Sequence, residues 1–198
     1  MSEQNQNTLI ERRSFVARLL AGVPEALVVT GLGSPSYDVF AAGDRDENFY
    51  LWGAMGGSVA LGLGLALAQP DKPVVVVTGD GEALMGIGAL GTVGVKQPKN
   101  LTVVVLDNGH YGETGMQRSH SSLGTQLVAV SKGFGIADSF EVHNADDVGQ
   151  IVERINARAG TALAQVHIRA DEPPRALPPR DGVFVKNRFR ANLGFGPY

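Results

Sequence analysis

Cysteine is absent from the 198 residues. Disulfides and thiolate metal sites are therefore excluded, and a zinc site would have to draw on the four histidines and the carboxylates. Positive charge is not in excess either: 17 Lys and Arg stand against 20 Asp and Glu, for a net charge of −3. Nucleic acid and anionic membranes both call for clustered positive charge, so neither is an expected partner. Long hydrophobic runs are missing too. The most apolar stretch, 59–68, is too short for a bilayer and contains two glycines. The opening segment MSEQNQNTLIERR lacks an apolar targeting core. A soluble, cytoplasmic protein is expected. Its length fits one domain, or one domain with an arm, and 43% hydrophobic residues suffice for a core.

Glycine, by contrast, is abundant. The 26 glycines cluster at 31–33, 53–64, 79–94 and 109–115. Glycine suits places where backbone turns with positive φ or approaches a ligand closely. Four such clusters in a small domain point to loops converging on a bound molecule.

Short β-branched apolar runs at 26–30, 48–52, 74–78, 101–106, 140–143 and 162–168 read as strands. Helical stretches alternate with them. Thr8 and Glu11 fit a capping box ahead of helical periodicity to Leu20, and Gly22-Val23-Pro24 stops that helix. Ser36 is placed to cap a short helix to residue 42. Further helices are expected over 56–67, from the Gly79-Asp80-Gly81 turn to about 96, and over 127–134 and 146–158. Residues 109–122 read as a polar, Gly-rich loop. Continuous apolar strands alternating with helices predict an α/β fold, a doubly wound and mostly parallel sheet with helices on both faces. Ligands of such sheets bind beyond the carboxyl ends of the strands, near a switch point. The Gly-rich loops after Thr30, Trp52, Thr78 and Leu106 all lie there. A domain over 1–170 and a Pro-rich arm over 171–198 complete the expected organisation. Glu172-Pro173-Pro174 and Leu177-Pro178-Pro179 favour extended backbone. The arm, basic and aromatic at 186–190, reads either as a disordered tail or as a segment that docks on a partner subunit.

Asp80 follows a buried strand and opens the next helix. A helix N-terminus suits phosphate, whereas a carboxylate does not bind it directly but can hold a bridging Mg2+. Mg2+ takes oxygen ligands and few from protein. Asn108 ends the next strand, so its amide oxygen reaches the same edge, and the backbone carbonyl of His110 is a third donor. Gly-Asp-Gly alone is weak evidence, since most such triplets are turns. Together with a 26-residue spacer and Asn108, each motif closing a strand, it resembles the signature of thiamine-diphosphate enzymes.

That resemblance extends over about 8–168, and within the family it is to the sulfopyruvate and phosphonopyruvate decarboxylase branch. It implies a diphosphate-binding domain, with thiamine diphosphate and Mg2+ as cofactors and Asp80, Asn108 and His110 as metal ligands. Backbone N–H groups of Gly81, Glu82 and Ala83 after Gly79, and of Glu113 and Thr114, are implied to hold the diphosphate. The Glu82 side chain should point away from that anion. Trp52-Gly53-Ala54-Met55-Gly56 resembles the segment under the cofactor. It implies Met55 as the wedge that bends the cofactor and the Gly53 carbonyl as acceptor for its 4′-amino group. The first loop, Gly31 to Ser36, implies Ser34 near the cofactor. The segment from Tyr111 and Gly112 to Gln117 resembles the loop after the metal asparagine. It departs from the family pattern at Glu113 and Met116, which leaves the substrate open.

The family's activating glutamate comes from a second domain for which this chain has no room. Glu11, Glu25 and Glu47 lie in the wrong context. The resemblance therefore implies a separate pyrimidine-binding subunit, an oligomeric assembly, and decarboxylation of a small 2-oxo acid. His120 reads as a solvated loop histidine and Arg118 as a surface arginine. Two other readings stand beside this one. A nucleotide-binding module is disfavoured because Ser36 replaces the third glycine of a Gly-x-Gly-x-x-Gly turn. A non-catalytic assembly subunit is disfavoured by the intact set of Asp80, Asn108 and Met55.

Overall fold

The computed structural model describes residues 9–196. Helix α1 (Arg12–Gly22) leads into strand β1 (Leu27–Thr30), helix α2 (Ser34–Ala41) and strand β2 (Asn48–Tyr50). Helix α3 (Ser58–Ala68) and strand β3 (Val74–Gly79) follow, then helices α4 (Asp80–Met85) and α5 (Gly88–Lys96). After strand β4 (Leu101–Asp107) come the short strands β5 (His110–Tyr111) and β6 (Gln117–Arg118). Helix α6 (Leu127–Gly133), strand β7 (Ser139–Val142), helix α7 (Val148–Ala157), strand β8 (Ala162–His167) and helix α8 (Gly182–Asn192) complete the chain.

Six strands form one parallel sheet in the order β2-β1-β3-β4-β8-β7. β3 shows why the strands read as continuous apolar runs. Val75 and Val77 enter the core under α1 and α7, while Val74 and Val76 enter the one under α3, α5 and α6. Because both faces are covered, all four valines are fully buried. Each contributes about 1.5–3 kcal/mol relative to exposure. β1 has β2 on one side and β3 on the other, so the chain reverses its direction of winding between β1 and β3. The crevice at that switch point lies between the loop after Thr30 and the start of α4.

Several boundaries differ from the sequence expectation. Thr8 of the expected capping box lies outside the described residues. Glu11 is itself the N-cap of α1, its carboxylate accepting from the amides of Arg13 and Ser14 at 3.0 and 2.7 Å. Ser36 does not cap α2. Gly33 does, at φ +79, and the Ser36 hydroxyl turns inward to donate to the Gly31 carbonyl at 2.6 Å. The helix expected to run to residue 96 breaks at Gly86-Ile87, and Gly86 lies so close to the Gly56 carbonyl that no side chain would fit there. The loop 109–122 contains the β5–β6 ribbon and two 3-10 turns.

Among the described residues, 171–196 packs back on its own chain. Asp181 caps α8 through the amides of Val183 and Phe184. Phe189 meets Phe49 edge-on at 5.5 Å, and Arg188 bonds to Asp44 at 2.6 Å. The Trp52 indole donates to the Pro179 carbonyl at 2.8 Å. No described helix is long and apolar enough to cross a membrane.

Candidate functional site

β3 and β4 pair in parallel, with Gly79 opposite Leu106. That register brings Asp80 and Asn108, each just past its strand, to the same edge of the sheet. Asp80 is 2% exposed. Its Oδ2 accepts from the hydroxyls of Ser119 and Ser121, the latter at 3.1 Å. The Ser121 hydroxyl also lies 2.8 Å from Oδ1 of a second buried carboxylate, Asp107, so its one hydrogen is shared between the two. Asp107 is fixed further by the Gly109 amide at 2.9 Å and the Gln165 amide at 2.6 Å. Burial, and then the negative charge of Asp107, push the Asp80 carboxyl up to about 6, while the serine hydroxyls pull it down. Excess negative charge is thus concentrated at a buried point lined by oxygens.

Asn108 is fixed by a local turn. Its Oδ1 accepts from the His110 amide at 2.9 Å, and the His110 imidazole lies 2.7 Å from the Asn108 carbonyl. Across the crevice α4 follows Gly79, its N-cap, with no side chain capping its first turn, which leaves N–H groups at its N-terminus open. The Glu82 carboxylate turns away from them. It accepts from the Leu32 amide and the Thr78 hydroxyl, both at 3.0 Å. A Cβ on Gly31 would collide with that carboxylate, so Gly31 and Glu82 form one closely fitted joint. Gly81 is covered by the Tyr111 ring, which a Cβ would meet at 2.5 Å. The Tyr111 hydroxyl lies 3.2 Å from Nδ1 of His120.

These groups surround a cavity of about 370 Å³. Ser34, Met55, Gly79, Asp80, Gly81, Glu82, Asn108, His110, Tyr111, Gly112, Glu113 and Thr114 all line it. Met55 is 38% exposed and stands at the opening. Gly53 and Ala83 are not among the lining residues: Gly53 turns at φ +70 on the exposed approach, and Ala83 packs into the core behind. Arg118 faces a different cavity and binds Ser122. Sequence reading missed Asp107, Ser119 and Ser121, which carry no motif of their own. It also missed Arg12, a buried residue that lines the cavity and pairs with buried Asp38 at 2.6 Å.

Comparison with known proteins agrees with this geometry. Residues 41–166 match the family described as thiamine pyrophosphate enzyme, C-terminal TPP binding domain. The chain belongs to that family. It is 39% identical, over 91% of its length and 96% of the relative's, to sulfopyruvate decarboxylase subunit beta of Methanococcus maripaludis. It is also 39% identical to phosphonopyruvate decarboxylase of Streptomyces viridochromogenes, covering 91% of this chain but 45% of that protein. Among solved structures, a putative thiamin diphosphate-dependent enzyme from Mycobacterium smegmatis superposes with a TM-score of 0.66 at 25% identity. That match covers 79% of this chain and 31% of the other. Within the family, the chain is the thiamine-diphosphate-binding subunit of a decarboxylase.

Proposed function

We propose that the cavity between β1 and β3 holds thiamine diphosphate through Mg2+, and that this chain works with a separate pyrimidine-binding subunit. In this reading the substrate is a 2-oxo acid with an anionic group on C3, of the sulfopyruvate or phosphonopyruvate kind. The observation that carries the reading is Asp80 and Asn108 at one edge of paired strands, opening on the same cavity as Met55. The likeness to a relative named as a beta subunit supports the partner, and the names of the relatives support the substrate class.

The donors fit Mg2+: a carboxylate from Asp80, an amide oxygen from Asn108 and the carbonyl of His110 are hard oxygen ligands. The raised pKa of Asp80 marks a site where a cation would relieve the burial of charge. The first-turn amides of Gly81 and Glu82, with those of Glu113 and Thr114, would hold the diphosphate oxygens, whereas Ala83, set back in the core, would not. Ser34 would approach the cofactor from the first loop. When bound, thiamine diphosphate supplies the electron sink that lets a 2-oxo acid lose CO2. The chain's own part is positional. Met55 would act as the wedge and the Gly53 carbonyl would accept from the aminopyrimidine. Tyr111 and Glu113 would narrow the cavity and limit water.

Calorimetric titration of thiamine diphosphate tests the reading, with Mg2+ and again with EDTA, on the wild type and on Asp80→Ala. Mg2+-dependent binding that the substitution abolishes is the expected outcome. The decarboxylase assay uses the complex purified from its host and follows CO2 release from 2-oxo acids with sulfonate or phosphonate on C3. A native complex that neither binds the cofactor nor releases CO2 would overturn the proposal.

A further inference from the structure

Three side chains at the far end of the same sheet have no part in this reaction. β7 and β8 pair in parallel, with Glu141 opposite Gln165 and Val142 opposite Val166. One position further along, the register brings His143 beside His167. Side chains alternate along a strand. Val142 and Val166 enter the core under α1 and α7, so Glu141, His143 and His167 share the opposite face.

Their ligand atoms cluster at one point. The two imidazoles stack with centroids 4.3 Å apart and planes 3° from parallel. Nε2 of His143 lies 3.0 Å and Nε2 of His167 3.2 Å from the same oxygen, Glu141 Oε2. All three ligand atoms fall within 4.8 Å of one another. Tetrahedral ligands at about 2.0–2.1 Å from Zn2+ are roughly 3.3 Å apart, so the spacing of the ligand atoms suits an ion, which binds in the plane of each imidazole once the stacked rings swing apart. Two neutral imidazoles and a carboxylate suit a borderline cation, whereas Mg2+ favours an all-oxygen shell. His143 and Glu141 are 64% and 47% exposed, which leaves an entry path. Glu141 and His167 also line a cavity of about 720 Å³, where a fourth ligand such as water has room.

We propose that Glu141, His143 and His167 form a binding site for a borderline divalent cation, Zn2+ foremost. The site ties the ends of β7 and β8 together and is chemically distinct from the oxygen site at Asp80. Two histidines from neighbouring strands become ligands in the neutral form, so binding releases protons and weakens as the solution is acidified.

The test titrates the metal-free full chain with Zn2+ by calorimetry and with Co2+ by visible absorption. Wild type is compared with His143→Ala, His167→Ala, Glu141→Gln and Asp80→Ala. One equivalent should bind to the wild type and to Asp80→Ala, with the absorption of tetrahedral Co2+. Loss of an outer-shell partner alone costs about 10–100-fold in affinity, so loss of either histidine should cost at least that. Glu141→Gln should weaken binding in the same direction. Absence of binding overturns the proposal, as does binding unchanged in both histidine variants or removed only by Asp80→Ala.

Discussion

Replacing Asp80 with asparagine should stabilise the metal-free protein at pH 8 and leave it nearly unchanged at pH 4. The carboxyl titrates near 3.8 when unfolded and is pushed up to about 6 in the fold, first by burial and then by Asp107. Between those values the native state holds a proton that the unfolded chain has released. Stability therefore falls as pH rises through the window, and the loss is complete above it. At 1.36 kcal/mol per pH unit, the interval from 3.8 to about 6 corresponds to about 3 kcal/mol. Asparagine keeps an oxygen for the hydroxyls of Ser119 and Ser121 but cannot ionise. Urea unfolding in EDTA, at pH 4, 5 and 8, reads the difference as a shift in midpoint at constant slope. The wild type should lose about 3 kcal/mol across the range relative to the variant. Parallel pH profiles would refute the reasoning, because Asp80 would then ionise without cost and the site would have no electrostatic need for a cation. Adding Mg2+ and thiamine diphosphate at pH 8 should reverse the order. Ligand that binds only the folded state stabilises it by mass action, and the variant lacks the carboxylate that holds the ion.

The proton competes with the metal for Asp80, so Mg2+-dependent cofactor affinity in the wild type should decline below about pH 6; calorimetry at pH 5 and 7.5 checks this. Gly86→Ala would drive a Cβ into the Gly56 carbonyl and displace the neighbouring Met55. About 1–3 kcal/mol of stability should be lost to overpacking, together with cofactor affinity, whereas Gly94→Ala, against the Phe134 carbonyl, should lower stability alone. Truncating Arg12 to alanine leaves Asp38 buried without its 2.6 Å partner and should cost about 3–5 kcal/mol in urea unfolding. Asp181→Ala removes the cap of α8 and should cost about 1 kcal/mol, visible as faster hydrogen exchange over 182–192.

By itself the sequence determined the sheet and where its two central strands end. Val74 to Val77 and Val103 to Leu106 are apolar at every position because both faces of each strand are covered. Two parallel strands end at one edge, so an aspartate and an asparagine just past such runs must share it. Only tertiary structure decided the rest. Ser119 reaches Asp80 across 39 positions, and Ser121 joins that carboxylate to Asp107. No periodicity encodes those bonds, because they depend on how the loop after β4 lies over the start of α4. From the sequence alone the helix continues past Gly86, whereas the structure breaks it there and sets Gly86 against the backbone of Gly56. The Pro-rich composition of 171–181 does not say which surface that segment meets. The fit of Phe189 on Phe49 and of Arg188 on Asp44 decided that. His143 and His167, well apart in sequence, became neighbours only through the register of β7 on β8. Local pattern fixes what a segment is, whereas contacts between distant segments follow from docking, which the chain settles only when the whole sheet forms.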